Sequence, residues 1–409
     1  MREVAGSRMG VMALVGFASG LPLALSGGTL QAWLTAEGVD IQTIGMFSLV
    51  GLPYACKFIW APVLDRFVPA HFGRRRGWML LSQITIAVLL AIMAFLSPTA
   101  ATEAMALLAC MLALGSATQD IAADAYRADL LSPKERGPGA ALSVSGYRVA
   151  MIVSGGVTLI IADHAGWTAA YLAMSGLMFA GILVSIFGPE PPQPAAAPSS
   201  LADAIIHPFR EYLQRGRALW LLALIVLYKF GDAFAGSLTT AFLLRGAGFD
   251  LTDVGVVYKG VGLAATILGA LIGGGLMSRM GMFRALLAFG ILQAATNLGF
   301  MLLAWVGKDY VVMTLVITLE NLAGGMGTAA FVAFLMALCD RRYSATQFAL
   351  LSSLSAVGRV MVGPVAGVAA AMLDWPLFFA LTFAAALPGL GLLVWLRRDV
   401  GGLDGEVKS

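Results

Sequence analysis

Ten ionisable residues of this 409-residue chain lie inside long apolar runs: Lys57, Asp120, Asp124, Arg127, Arg148, Lys229, Asp232, Lys259, Glu320 and Arg359. A charge at a bilayer centre costs about 2.5–3.5 kcal/mol on insertion scales, so each asks for a partner or a task. Asp120, Asp124 and Arg127 stand four and three apart in SATQDIAADAYRADLL and share one helix face. Lipid rejects such a face, so it must look into a cavity or onto protein. Asp120 lies nine residues before Asp129, and Arg148 nine after Gly139. At a rise of ~1.5 Å per residue both sit about 13–14 Å deep, which predicts an Asp120–Arg148 or Asp124–Arg148 pair. Lys229 and Asp232, three apart, can pair along their own helix, while Asp232, Glu320 and Arg359 fall near the estimated midplane.

A carboxylate at that depth can take up and release a proton as its surroundings change. Asp120, Asp124, Asp232 and Glu320, with Lys229, are therefore the candidate proton-coupling residues. The alternative for the Lys229–Asp232 pair and for Glu320 is a fixed structural role. Arg148 and Arg359 offer planar forks suited to carboxylate or phosphate and are the candidate substrate contacts, joined by Gln31, Gln119 and Tyr147. Their alternative is conformational locking between helices. Lys57, Arg127 and Lys259 lie within about two turns of a span end and are expected to snorkel to the interface.

The elements that must position these groups are membrane helices. Hydrophobic residues make up 59% of the chain and charged residues 12%, against ~25% charged in soluble domains. That excludes an ordinary soluble enzyme, a disordered chain and a nucleic-acid binder. Twelve apolar stretches reach the ~20 residues a span needs, at about 9–34, 41–63, 78–97, 104–129, 139–162, 167–188, 218–244, 254–277, 283–305, 310–338, 347–372 and 376–396. They are too long for barrel strands and lack period-2 alternation. With both termini placed in the cytoplasm, 18 of the 26 basic residues fall in inside segments and two, Arg245 and Lys308, in outside loops. The first stretch is expected to be a span rather than a cleaved signal peptide, because it is longer than a signal core and eleven more follow.

A proline-rich connector beginning at Pro189 separates two sets of six. It divides the chain into a half at 1–188, a linker at 189–216, a second half at 217–398 and a tail at 399–409. The halves repeat: AEGVDIQTIG at 36–45 matches GAGFDLTDVG at 246–255, and Arg148/Arg359 and Asp129/Asp340 recur at nearly the same offset. The expected fold is all-α and integral to the membrane, with twelve helices in two six-helix halves, as in transporters whose site lies between parallel repeats. After the second span, Leu64-Asp65-Arg66 and Gly73-Arg74-Arg75-Arg76 resemble the signature G-x-x-x-D-R-x-G-R-R of the major facilitator superfamily. Ala61 replaces its first glycine, and five extra residues stretch its middle. The resemblance implies a role in conformational switching for Asp65, Arg66, Gly73, Arg74 and Arg75; a simple positive-inside anchor is the alternative. The second half keeps a decayed copy ending Ser278-Arg279-Met280-Gly281.

Three further stretches sharpen the resemblance: GFASGLPLALSGGTLQAWL at 16–34, TIGMFSLVGLPYACKFIWAPVLDRF at 43–67, and SATQDIAADAYRADLLSPKERGPGAALSVSGYRVAMIVSGG at 116–156. Together they resemble the AmpG-type permeases, densely over 16–190 and more weakly beyond about 215. That implies a multi-pass protein of the bacterial inner membrane, importing anhydromuropeptides by proton symport, with a carboxylate-bearing periplasmic cargo. Twelve spans also fit the related RhtX/FptX-type siderophore permeases, and a non-transporting membrane signalling protein is the remote alternative. Nothing in the sequence calls for an enzyme, a metal or a cofactor beyond the proton gradient: the three histidines lie in loops, and no Walker-type loop precedes a helix. A monomer is the default expectation.

Overall fold

The computed structural model describes residues 2–66, 69, 73–131, 136–189, 216–339 and 344–406. The linker at 190–215 and Asp340 lie outside the described residues, as do the side chains of Asp65, Arg66 and Arg74. Among the described residues, ten helices are long and apolar enough to cross a membrane, and a shorter apolar one spans Ile41–Cys56. The longest, Leu142–Phe187, is broken at Gly166, whose φ of 82° no helix accommodates. Divided there and joined by the shorter helix, the set becomes the twelve spans the sequence predicts.

Hydrogen-bond capture of helix ends follows the repeat. Gly38 and Gly248 both adopt positive φ (85° and 76°), which turns the chain so that Asp40 and Asp250 stand as N-caps two residues later. Asp40 accepts from the backbone of Thr43 at 2.9 Å, and its bonds to Thr43 hold its carboxyl below the usual carboxylate range. Outside the span it precedes, Lys308 sits 3.2 Å from Asp250 and is held protonated above its ordinary range by that contact.

The chain packs as two units. One comprises 1–39 with 50–199, the other 40–49 with 200–409. In the first unit, Arg2–Leu25 lies against Arg136–Ile152 so closely that backbones touch. A Cβ on Gly16 would stand 2.0 Å from Ser143 O, and one on Gly146 2.1 Å from Ala13 O. Small residues permit such approach where lipid supplies no hydrophobic drive between helices. In the second unit, Ser48 Oγ donates to Val360 O at 2.9 Å, fastening the segment 40–49 to the helix Ser344–Met372. The core of this unit is built from Leu224, Ile225, Leu286, Phe334 and Leu393, and it extends to Val400 on the C-terminal helix Arg397–Glu406.

Candidate functional site

Each unit holds its own polar cluster. In the first, a cavity of about 330 Å³ is lined by Gly16, Ser19, Lys57, Asp120, Ala123, Asp124, Arg127, Ser143, Val144, Tyr147 and Arg148. Four elements supply this wall. The helix Thr102–Leu130 presents Asp120, Asp124 and Arg127 through their three- and four-residue spacing, as predicted. The glycine seam between Arg2–Leu25 and Arg136–Ile152 seats Ser143 at Gly16 and Tyr147 at Gly20, which puts Ser143, Tyr147 and Arg148 on the same wall as Ser19. Lys57 arrives from a second span that is not one straight helix: a 3-10 turn covers Phe47–Gly51 and another Lys57–Ile59.

The charges pair differently from the depth estimate. Asp124 bonds Arg127 at 2.9 Å, one turn along its own helix, and Arg127 also donates to Ser143 Oγ at 3.2 Å. Among the described residues Arg148 makes no salt bridge with either aspartate; it is exposed, and its described contact is Met151 Sδ at 3.9 Å. The local pair wins because two residues three apart on one helix need no second element to meet. Asp120 lies beside Ser19 and within electrostatic reach of Lys57. Lys57 and Arg127, expected to snorkel, both face the cavity instead.

Two expected contacts are missing from the wall. Gln119 is 1% exposed, and neither end of its amide finds a partner among the described residues. It precedes Asp120 by one position, about 100° around the helix, and so turns away from the cavity. Gln31 stands half-buried on Gly28–Ala36 and does not line the cavity.

The second cluster forms around a break in the seventh span. Lys229 separates the helices Ala218–Tyr228 and Phe230–Ala241, with φ −96° and ψ 4°. Its ammonium lies 3.4 Å from Asp232 Oδ2 and donates to Thr328 Oγ1 at 3.1 Å, which joins this span to Tyr310–Ala337. Asn297 donates to Gly231 O at 3.3 Å, just beyond the break. Glu320 is within electrostatic reach of Asp232 and Lys229. Asn321 donates to Glu320 Oε2 at 2.7 Å, while Thr266 Oγ1 approaches Asn321 Oδ1 at 3.1 Å. The three expected residues Lys229, Asp232 and Glu320 thus gather in one place. Arg359 does not join them as an ion-pair partner among the described residues; it is exposed on Ser344–Met372. Lys259 stacks over the Tyr258 ring at 4.3 Å.

At the signature loop, Gly73 takes φ 76° and starts the helix Arg74–Met93. Arg75 bonds Asp129 at 2.8 Å, tying that helix to the end of Thr102–Leu130. Arg76 donates to Ser185 O at 2.8 Å and also to Ile186 O, capping the end of Thr158–Phe187. The basic run is therefore a clamp on three helix ends.

The pattern of the Major Facilitator Superfamily matches residues 12–363. A protein of Escherichia coli K12 named "Anhydromuropeptide permease" is 53% identical over 394 residues, covering 96% of this chain and 80% of that protein. The chain is an AmpG-type permease of the major facilitator superfamily. A Rickettsia conorii protein named "Putative transporter AmpG 4" is 31% identical, covering 95% of this chain and 96% of its own length. Among solved structures, a D-xylose-proton symporter aligns with a TM-score of 0.73 at 12% identity, covering 95% of this chain and 96% of that one. The nucleoside transporter NupG aligns at 0.71 with 15% identity, covering 95% and 99%. At such identities these two establish the permease's fold. It is a multi-pass membrane transporter and not an enzyme.

Proposed function

We propose that this permease imports anhydromuropeptides, GlcNAc-anhydroMurNAc peptides, from periplasm to cytosol by proton symport across the bacterial inner membrane, with both termini cytoplasmic. The 53% identity with the E. coli permease carries this reading and favours muropeptide over the siderophore alternative. The cavity supports it: its cations suit a carboxylate-bearing cargo, and its wall carries aspartates as well. The group of the buried Lys229 with the half-buried Asp232 and Glu320 supplies a second place where a proton can be exchanged against an ion pair.

The test is uptake of labelled GlcNAc-anhydroMurNAc-tripeptide, and separately of a ferric siderophore, into cells that lack their own muropeptide uptake and express this chain. Muropeptide should accumulate, and a protonophore should abolish the accumulation. Accumulation of the siderophore instead, or of neither, overturns the cargo assignment. Asp120→Asn or Asp232→Asn should lower proton-driven uptake more than equilibrium exchange. If both variants keep the wild-type pH dependence, the coupling role leaves these residues.

A further inference from the structure

We propose that Lys57 and Arg148 form a receptor for one carboxylate of the cargo, and that this carboxylate displaces Asp120 as the anion nearest Lys57. The inference rests on the proposed cargo and names the part of it that enters the first unit.

The balance of charge within the cavity carries it. The wall holds three cations, Lys57, Arg127 and Arg148, and two carboxylates, Asp120 and Asp124. Asp124 and Arg127 neutralise each other at 2.9 Å, and Arg127 is further occupied by Ser143. Two cations and one carboxylate remain, each from a different span, and no salt bridge among the described residues joins them. A cavity with an excess cation draws in an anion from outside, and one placed between the half-buried Lys57 and the exposed Arg148 is reached by both.

The chemistry of the two cations suits a carboxylate. The guanidinium of Arg148 presents parallel N–H donors to both oxygens, and the ammonium of Lys57 adds a point charge from a different element. Tyr147, beside both Asp120 and Arg148, supplies a hydroxyl at the same wall. At about 330 Å³ the cavity stands at the small end of ligand sites, so it takes one acidic end of a large cargo rather than all of it. Lys57 also sits on a 3-10 turn, where a small rearrangement of the span moves its ammonium between Asp120 and the incoming group.

The experiment compares two probes in proteoliposomes: peptide-free GlcNAc-anhydroMurNAc, whose lactyl group is its single carboxylate, and the methyl ester of that group. Lys57→Met should raise KM for the acid about tenfold or more, the effect of one lost charged hydrogen bond, and change KM for the ester less than about twofold. Lys57→Arg should restore acid uptake. In the wild type, the acid should raise the melting temperature of the purified protein and the ester should not. Equal uptake and equal thermal stabilisation by both probes in the wild type overturn the carboxylate receptor and leave the cargo reading standing. Uptake of neither probe while labelled GlcNAc-anhydroMurNAc-tripeptide is still transported overturns the receptor alone; loss of tripeptide uptake as well overturns the cargo reading, and this site with it. Equal loss for both probes in Lys57→Met, with no rescue by Lys57→Arg, also overturns the receptor.

Discussion

Replacing Gly16 by alanine tests whether the glycine seam positions the cavity wall. The added Cβ would stand 2.0 Å from Ser143 O, 2.7 Å from Ser143 C and 2.8 Å from its Cα. All three are backbone atoms, so no side chain can rotate aside. Ordinary contact begins near 3.4 Å, and the helices Arg2–Leu25 and Arg136–Ile152 must part locally by the difference from 2.0 Å, about 1.4 Å. That movement carries Ser143, Tyr147 and Arg148 away from Ser19 and Asp120. Misplacement by about 1 Å costs positioned groups up to ~100-fold in rate, and overpacking costs roughly 1–3 kcal/mol of stability. Gly10, on the same helix, provides the control, because nothing lies within 4 Å of a Cβ there. Gly10→Ala should be neutral or slightly stabilising. The assay is initial uptake of labelled muropeptide in proteoliposomes at matched protein content, with thermal unfolding of each purified variant alongside. Uptake by Gly16→Ala within about twofold of Gly10→Ala would refute the positioning argument.

Asp232→Leu should destabilise by about 3–5 kcal/mol, since it strands the buried Lys229 ammonium, and the double variant Lys229→Met with Asp232→Leu should regain most of that in thermal unfolding while staying uncoupled. Arg75→Asp should impair transport by breaking the 2.8 Å bond to Asp129, and adding Asp129→Arg should recover part of it; uptake measured in the two variants and their combination reads the coupling directly. Asp40→Ala should cost about 1 kcal/mol at pH 7 through loss of the helix cap, and Asp40→Asn far less. Because Asp40 titrates below its ordinary range, its contribution is full above that range and fades as pH falls through the lowered value; melting curves of wild type and Asp40→Ala should therefore converge only in acid.

The spans are legible in the sequence because lipid imposes a length and a hydropathy that water-soluble folds do not. Even the division of Leu142–Phe187 is visible there, since Asp163, His164 and Gly166 interrupt the apolar run. Asp120, Asp124, Tyr147 and Arg148 are legible for the same reason: polar groups stand out where few are tolerated. Lys57 is not, because depth counted along a uniform helix places it wrongly. Two 3-10 turns, with a rise of about 2.0 Å per residue rather than 1.5 Å, reset both the depth and the facing of the residues around them. Gln119 escapes for another reason: adjacency in sequence says nothing about facing, and one residue turns a helix through about 100°. The aspartate–arginine partnership eludes an argument from depth, which ranks distant partners without weighing the one a turn away.

Gly73 and Gly281 hold nearly the same backbone, φ 76° with ψ 171° and φ 81° with ψ 162°, each opening a helix after the second span of its half. Around Gly73 the acid and the arginine run survive, whereas around Gly281 the acid has become Ser278. The bend recurs although the signature acid does not. A duplicated fold can keep its joints in both copies, since each copy must still make the corner, while the residues of the signature drift in one. The loop is thus symmetric in backbone and lopsided in sequence. Restoring the acid with Ser278→Asp would ask whether the second copy of this loop can also be made to set the rate of transport.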